Sequence, residues 1–105
     1  MTAPGGTVTV TDVPESRRYE ARIDGEPAGV AVYLRTPDMI VFVHTEVEAP
    51  FEGRGVGSAL ARTALDEARE LGLRVVAICP FIDGWMQRHP EYEDLRYEPA
   101  SRVAD

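Results

Sequence analysis

Glycine takes every second position in Glu52-Gly53-Arg54-Gly55-Val56-Gly57-Ser58, and the segment runs straight into a helical pattern, SALARTALDEARELG. Glycine adopts backbone angles that other residues avoid and lets a ligand come close to the main chain. The N–H groups at a helix start, reinforced by the helix dipole, then suit a phosphate or pyrophosphate. The backbone of Arg54, Gly55, Val56, Gly57 and Ser58 is the candidate cradle, and the Arg54 and Ser58 side chains could add polar contacts to phosphate oxygens. The bland alternative is a glycine-rich loop that only turns the chain. A nucleotide P-loop is excluded, because it needs Lys followed by Ser or Thr after its last glycine and this chain has Ser58-Ala59. The dinucleotide fingerprint GxGxxG needs glycine at 58 or 60, where Ser58 and Leu60 stand.

A second set of residues could move protons or acyl groups. His44 and Glu46 are two apart in a β-branched run, so they point to one face of a strand and either could act as a base. The alternative is that His44 is a satisfied sheet residue and Glu46 a solvated one. Cys79 is the single cysteine: its thiolate could act as a nucleophile, its neutral thiol as a proton donor, or it could be a small core residue. His44-Thr45-Glu46 and Cys79-Pro80 faintly echo the zinc deaminase pattern. That signature needs Pro-Cys-x-x-Cys, and one cysteine with two histidines is too few for the usual tetrahedral site, so no metal is expected.

The elements that must position these groups are readable in outline. Val8 to Val13, Arg18 to Ile23, Gly29 to Leu34 and Met39 to Val47 read as strands, with Asp24-Gly25 and Thr36-Pro37-Asp38 as turns, which predicts an antiparallel meander. Val56, Leu60, Ala64 and Ala68 recur every fourth residue with Leu71 near the same face, Arg62, Asp66, Glu67 and Glu70 mark the wet side, and Gly72 caps the helix end. Leu73 to Cys79 fits one buried strand that Pro80 stops, Phe81 to His89 a short second helix, and Tyr92 to Tyr97 a last turn or edge strand.

Chain length and composition fit one globular domain at 7–98, with tails at 1–6 and 99–105. The net charge of −7 would repel phosphate backbones, so nucleic acid is an unexpected partner. No apolar run is long enough to cross a bilayer, and one cysteine with no leader pattern points to the cytoplasm. Monomer and homodimer remain open.

With the loop, helix and strands placed, the chain resembles the GNAT superfamily of N-acetyltransferases, whose pyrophosphate loop reads Arg/Gln-x-x-Gly-x-Gly/Ala before a helix; here the match is Gly55-x-Gly57. From Val43 to Tyr92, VHTEVEAPFEGRGVGSALARTALDEARELGLRVVAICPF...HPEY is similar to the small single-domain GNAT-like family of the N-acetyltransferase domain-containing protein 1 type. The resemblance implies an α/β (α+β) fold, a mixed and mainly antiparallel sheet with two helices and a cleft between two splayed parallel strands, Met39 to Val47 and Leu73 to Cys79. It implies that acetyl-CoA lies in that cleft, with pyrophosphate on the loop and main-chain groups near Val47 pairing with the pantetheine arm.

Some positions depart from the superfamily. Its leading Arg/Gln is Glu52, which cannot donate to phosphate, and Trp85 stands in the region where larger relatives carry a tyrosine general acid. That acid role is either absent or falls to Cys79 or Tyr92, while His89 and Tyr92 read better as structural. Larger relatives also carry extra N-terminal helices, so the acceptor site here should be open. The expected activity is acetyl transfer from acetyl-CoA to an amine, with Cys79, Glu46 and His44 as catalytic candidates, direct transfer preferred over an acetyl-cysteine, and no metal. The rival reading is a non-catalytic CoA or acyl-CoA sensor acting through a partner.

Overall fold

The computed structural model describes residues 7–98, and the tail segments expected at 1–6 and 99–105 lie outside the described residues. Five strands form one sheet in chain order: β1 (Val8–Val13), β2 (Arg18–Ile23), β3 (Glu26–Arg35), β4 (Met39–Val47) and β5 (Arg74–Ala77). The first four make an antiparallel meander, and β4 pairs with β5 in parallel. Parallel neighbours need a crossover rather than a hairpin, and helix α1 (Val56–Leu71) supplies it. Helix α2 (Pro80–Arg88) follows β5, and short 3-10 turns occupy Pro14–Ser16, Ala49–Phe51 and Pro90–Leu95. The segment Tyr92 to Tyr97 is therefore mostly turn, with one parallel bridge between Val75 and Arg96.

Local chemistry sets the ends of these elements. Asp24 and Gly25 take φ of 51° and 81° between β2 and β3, the paired positive angles of a tight hairpin turn. Gly72 leaves α1 at φ 73°, with its N–H bonded to the Arg69 carbonyl and the Leu73 N–H to the Ala68 carbonyl. This is a Schellman ending, which satisfies carbonyls that the helix leaves open. It brings Leu73 back to a buried position at 3% exposure, while Leu71, which the spacing places near the core face, is 59% exposed. Pro80 opens α2, where its missing N–H has no helical partner to lose.

Helix α1 buries Val56, Leu60, Ala61, Ala64, Leu65 and Ala68, a broader stripe than the four-residue repeat alone predicts. Three alanines in that stripe let the helix lie close to the sheet. The approach is tightest at Gly29, where a Cβ would sit 2.7 Å from the Glu46 carbonyl oxygen and 3.0 Å from Val56 Cγ1.

Three tyrosines bond carboxylates, two of them on α1 and one within the sheet. The Tyr19 hydroxyl donates to Glu67 at 2.9 Å, Tyr92 to Asp66 at 2.7 Å, and Tyr33 to Asp12. Glu67, expected on the wet side of α1, is half-buried by this bond. Burial first and the neighbouring carboxylate second push the Tyr19 and Tyr33 phenols above their ordinary range; for Tyr92 the bond to Asp66 is the larger cause.

Two outcomes follow from this packing. Gly29→Ala should overpack the helix–sheet seam and destabilise the fold by about 1–3 kcal/mol, which a thermal melt reads as a drop of roughly 4–8 °C per kcal/mol; an unchanged midpoint would contradict the seam. A folded phenol with a raised pKa holds its proton while the unfolded one loses it, so stability is full below about pH 10 and falls above it. Tyrosinate absorbance from Tyr19, Tyr33 and Tyr92 should therefore appear together with loss of near-UV circular dichroism. Ionisation of all three in a still-folded protein would contradict the assignment.

Candidate active site

β4 and β5 stay paired only from Met39 opposite Arg74 to Phe42 opposite Ala77. There the Phe42 carbonyl accepts two N–H groups, from Ile78 at 3.0 Å and Cys79 at 2.9 Å, and the ladder stops. β4 continues to Val47 against β3 on its other side. Its edge beyond Phe42 faces no paired strand among the described residues, so the parallel pairing ends there while β4 runs on.

Val43 decides which side chains of β4 face the core from there on. Val32 lies opposite His44, but the next residue of β3, Tyr33, lies opposite Phe42, so Val43 is an extra residue in β4. Such a β-bulge exchanges the two faces for every later side chain. Without it, His44 and Glu46 would follow Phe42 into the core. With it, His44 and Glu46 stand on the outer face, exposed, with His44 Nε2 3.7 Å from Glu46 Oε1. Thr45 turns to the core face instead, where its Oγ1 lies 3.2 Å from Cys79 Sγ.

Cys79 is buried at 2% exposure and forms the N-cap of α2, its carbonyl accepting the Asp83 N–H at 3.0 Å. The expected strand Leu73 to Cys79 is thus shorter, since Ile78 and Cys79 already belong to the turn that β4 holds. The structure joins Cys79 to Thr45, a residue that sequence reasoning missed, and sets the His44–Glu46 pair on the other side of β4. Only the pairing register could have revealed Thr45, because simple alternation from Phe42 puts it outside.

The glycine-rich loop lies beyond Val47. Gly53 and Gly55 have φ of 80° and 81°, angles that favour glycine. Gly55 is the N-cap of α1 and no side chain caps the helix. The first-turn N–H groups of Val56, Gly57 and Ser58 therefore have neither a helical partner nor a side-chain cap, which fits an anionic group. Gly57 has a different reason to be glycine: a Cβ there would lie 2.7 Å from Cζ of Phe81, so the space is taken by an aromatic ring from α2. Ser58 Oγ accepts the Trp85 indole N–H at 3.1 Å. The Arg54 guanidinium sits over the Phe51 ring, 5.5 Å from its centre, and Glu52 is exposed.

Trp85, in the place where an acid was sought, is a core side chain at 1% exposure. His89 stacks on it at 3.7 Å and 13°, donates from Nδ1 to the Trp85 carbonyl at 2.7 Å, and closes α2 with its own N–H on the Met86 carbonyl. Tyr92 is likewise buried at 5%. Arg69 reaches Asp94 at 2.9 Å and the Glu91 carbonyl at 2.8 Å, and this guanidinium holds the Asp94 carboxyl below the usual carboxylate range. Among the described residues, no group of three or more His, Cys, Asp and Glu side chains is placed to hold a metal ion, and no helix is long and apolar enough to cross a membrane.

The wider likeness agrees with this fold. Protein NATD1 from Mus musculus is 31% identical over 88 residues, spanning 82% of this chain and 80% of that one. An aspartate/glutamate leucyltransferase from Pseudomonas fluorescens (strain Pf0-1) is 39% identical over 70 residues, which are 67% of this chain but 30% of that protein. A GCN5-like protein from Staphylococcus aureus, solved by NMR, shares the fold at a TM-score of 0.62 and 19% identity, covering 92% of this chain and 93% of its own. A ribosomal-protein-alanine N-acetyltransferase from Brucella melitensis biovar Abortus 2308 does so at 0.56 and 21%, covering 78% and 62%. The sequence profile of GCN5-related N-acetyl-transferases matches residues 18–95. A chain whose parallel ladder ends at Phe42 and whose first long helix starts on glycines, matched by that profile over most of its length, belongs to the GCN5-related N-acetyl-transferase family.

Proposed function

We propose that this protein is an acetyl-CoA-dependent N-acetyltransferase acting on an amine, with 7–98 as one catalytic unit. The observation that carries the reading is the end of the β4–β5 pairing at Phe42 together with a glycine-rich, uncapped helix start. The first-turn N–H groups of Val56, Gly57 and Ser58, with the turn made by Gly55, bind the pyrophosphate, and the Ser58 hydroxyl and Arg54 lie beside them. Val47, on the unpaired edge of β4, offers main-chain groups to the pantetheine arm. Acetyl-CoA supplies the thioester, and this chain supplies binding, orientation and proton handling.

The two faces of β4 divide the proton work. On the outer face, Glu46 or its neighbour His44 accepts the amine proton as nitrogen bonds to the acetyl carbon. As the carbon–sulfur bond breaks, Cys79 on the inner face gives its proton to the leaving sulfur, with Thr45 orienting the thiol. Exchange with solvent then removes the proton from the base and restores the one on Cys79.

Calorimetric titration with acetyl-CoA tests the binding half. A micromolar dissociation constant, about −8 kcal/mol, is expected, and no binding at millimolar acetyl-CoA would overturn the reading. Mass spectrometry of the intact protein should show no stable acetyl adduct; an adduct that vanishes in Cys79→Ala would replace direct transfer with a covalent route. Binding without CoA release in the presence of any amine would leave the sensor reading instead. Glu46→Gln and His44→Ala test the catalytic half. The variant that removes the base should slow amine-dependent CoA release by roughly 10²–10⁴-fold with acetyl-CoA affinity retained, because both side chains stand on the exposed face of β4, opposite Thr45 and Cys79. Full turnover in both variants would remove them from the mechanism.

A further inference from the structure

Trp85 is the one tryptophan of the chain, and its buried indole does not end on a carbonyl or a water-facing edge but on the Ser58 hydroxyl, in the first turn of α1. An indole N–H can only donate, whereas a serine hydroxyl has one hydrogen and two lone pairs. The direction of this bond is therefore fixed: Ser58 Oγ accepts. One lone pair is occupied on the buried side, and the hydroxyl hydrogen must point elsewhere. Ser58 itself is exposed, beside the N–H groups that no side chain caps. A free serine in this position could turn its hydrogen back onto a carbonyl one turn earlier, as such residues often do. A tyrosine in place of Trp85 could donate or accept, and would leave the serine's orientation undecided.

We propose that Trp85 is a positioning residue for the anion cradle, holding Ser58 so that its hydroxyl hydrogen is presented to a phosphate oxygen alongside the backbone N–H groups of the first turn. This rests on the pyrophosphate reading of the loop given above. The indole is itself clamped. His89 stacks against it at 3.7 Å, Tyr92 lies tilted at 5.3 Å, and the Arg62 guanidinium covers it at 5.2 Å. Tyr92 is fixed in turn by its bond to Asp66. The segment His89 to Tyr92, which takes no part in the acyl chemistry, thereby sets the direction of one hydrogen on the other side of α2.

The test combines calorimetry with CoA and two-dimensional ¹H–¹⁵N NMR of the single indole resonance, using Ser58→Ala, Trp85→Phe and the double variant. Trp85→Phe keeps an aromatic ring in the stack and removes the N–H. Each single variant should bind CoA about 5- to 15-fold more weakly, the loss expected for one hydrogen bond of roughly 1–1.5 kcal/mol, and the double variant should be no weaker than Ser58→Ala alone. Binding of pantetheine, which lacks the pyrophosphate, should be the same in all four proteins. In the wild type the indole N–H resonance should shift when CoA binds, and in Ser58→Ala it should not.

Wild-type affinity in Trp85→Phe, or additive losses in the double variant, would overturn the positioning role while leaving the loop reading intact. Failure of the wild type to bind CoA at all would overturn both. Should Trp85→Phe fail to fold, the indole resonance decides, and a signal unmoved by CoA in the wild type would sink the proposal.

Discussion

One carbonyl governs the candidate site. The Phe42 oxygen accepts the N–H groups of both Ile78 and Cys79, so the parallel ladder that began at Met39 has no further step to take. A strand pair that ends while one partner continues leaves that partner's main-chain edge to water or a ligand, because every N–H and C=O seeks a hydrogen-bond partner. The same turn starts α2 at Pro80 and lays the Phe81 ring on Gly57. The end of pairing and the contact between the two helix starts are thus one arrangement.

The remainder of the molecule keeps that arrangement rigid. Small residues on α1 and Gly29 on β3 hold the helix near the sheet. Tyrosine–carboxylate bonds from β2 and the Pro90–Leu95 turn reach α1, and one from β3 reaches across the sheet to β1. Arg96 bonds Asp83, Glu93 and the Asp83 carbonyl, and the Tyr97 N–H reaches the Val75 carbonyl, so the chain after α2 is tied along β5. Its partly exposed ion pairs fix where α2 and the following turn lie.

How much of this was legible in the sequence depends on whether a feature is local. The meander, the hairpin at Asp24-Gly25, α1 with its Gly72 ending and the second helix are written in short-range patterns, and the structure has them with boundaries shifted by a few residues. The glycines of the loop were legible as a helix start, and family likeness extended that to an expected pyrophosphate cradle. Features set by a partner distant in sequence were not. Gly57 looks like a glycine reserved for a ligand until Phe81 is seen to fill the space. Ser58 and Trp85 are 27 residues apart, and Thr45 meets Cys79 across 34. No periodicity in either segment announces these meetings.

The bulge at Val43 has one more consequence. Val43 is itself 38% exposed, and as a side chain it does little; its contribution is to be counted. Many residues could stand there, yet removing one would shift the rest of β4 by a step, send Thr45 outward and bury His44 and Glu46. Homologous chains should therefore tolerate substitution at this point far better than an insertion or deletion, so that the number of residues between Phe42 and Val47, more than their identity, is what natural variation must preserve.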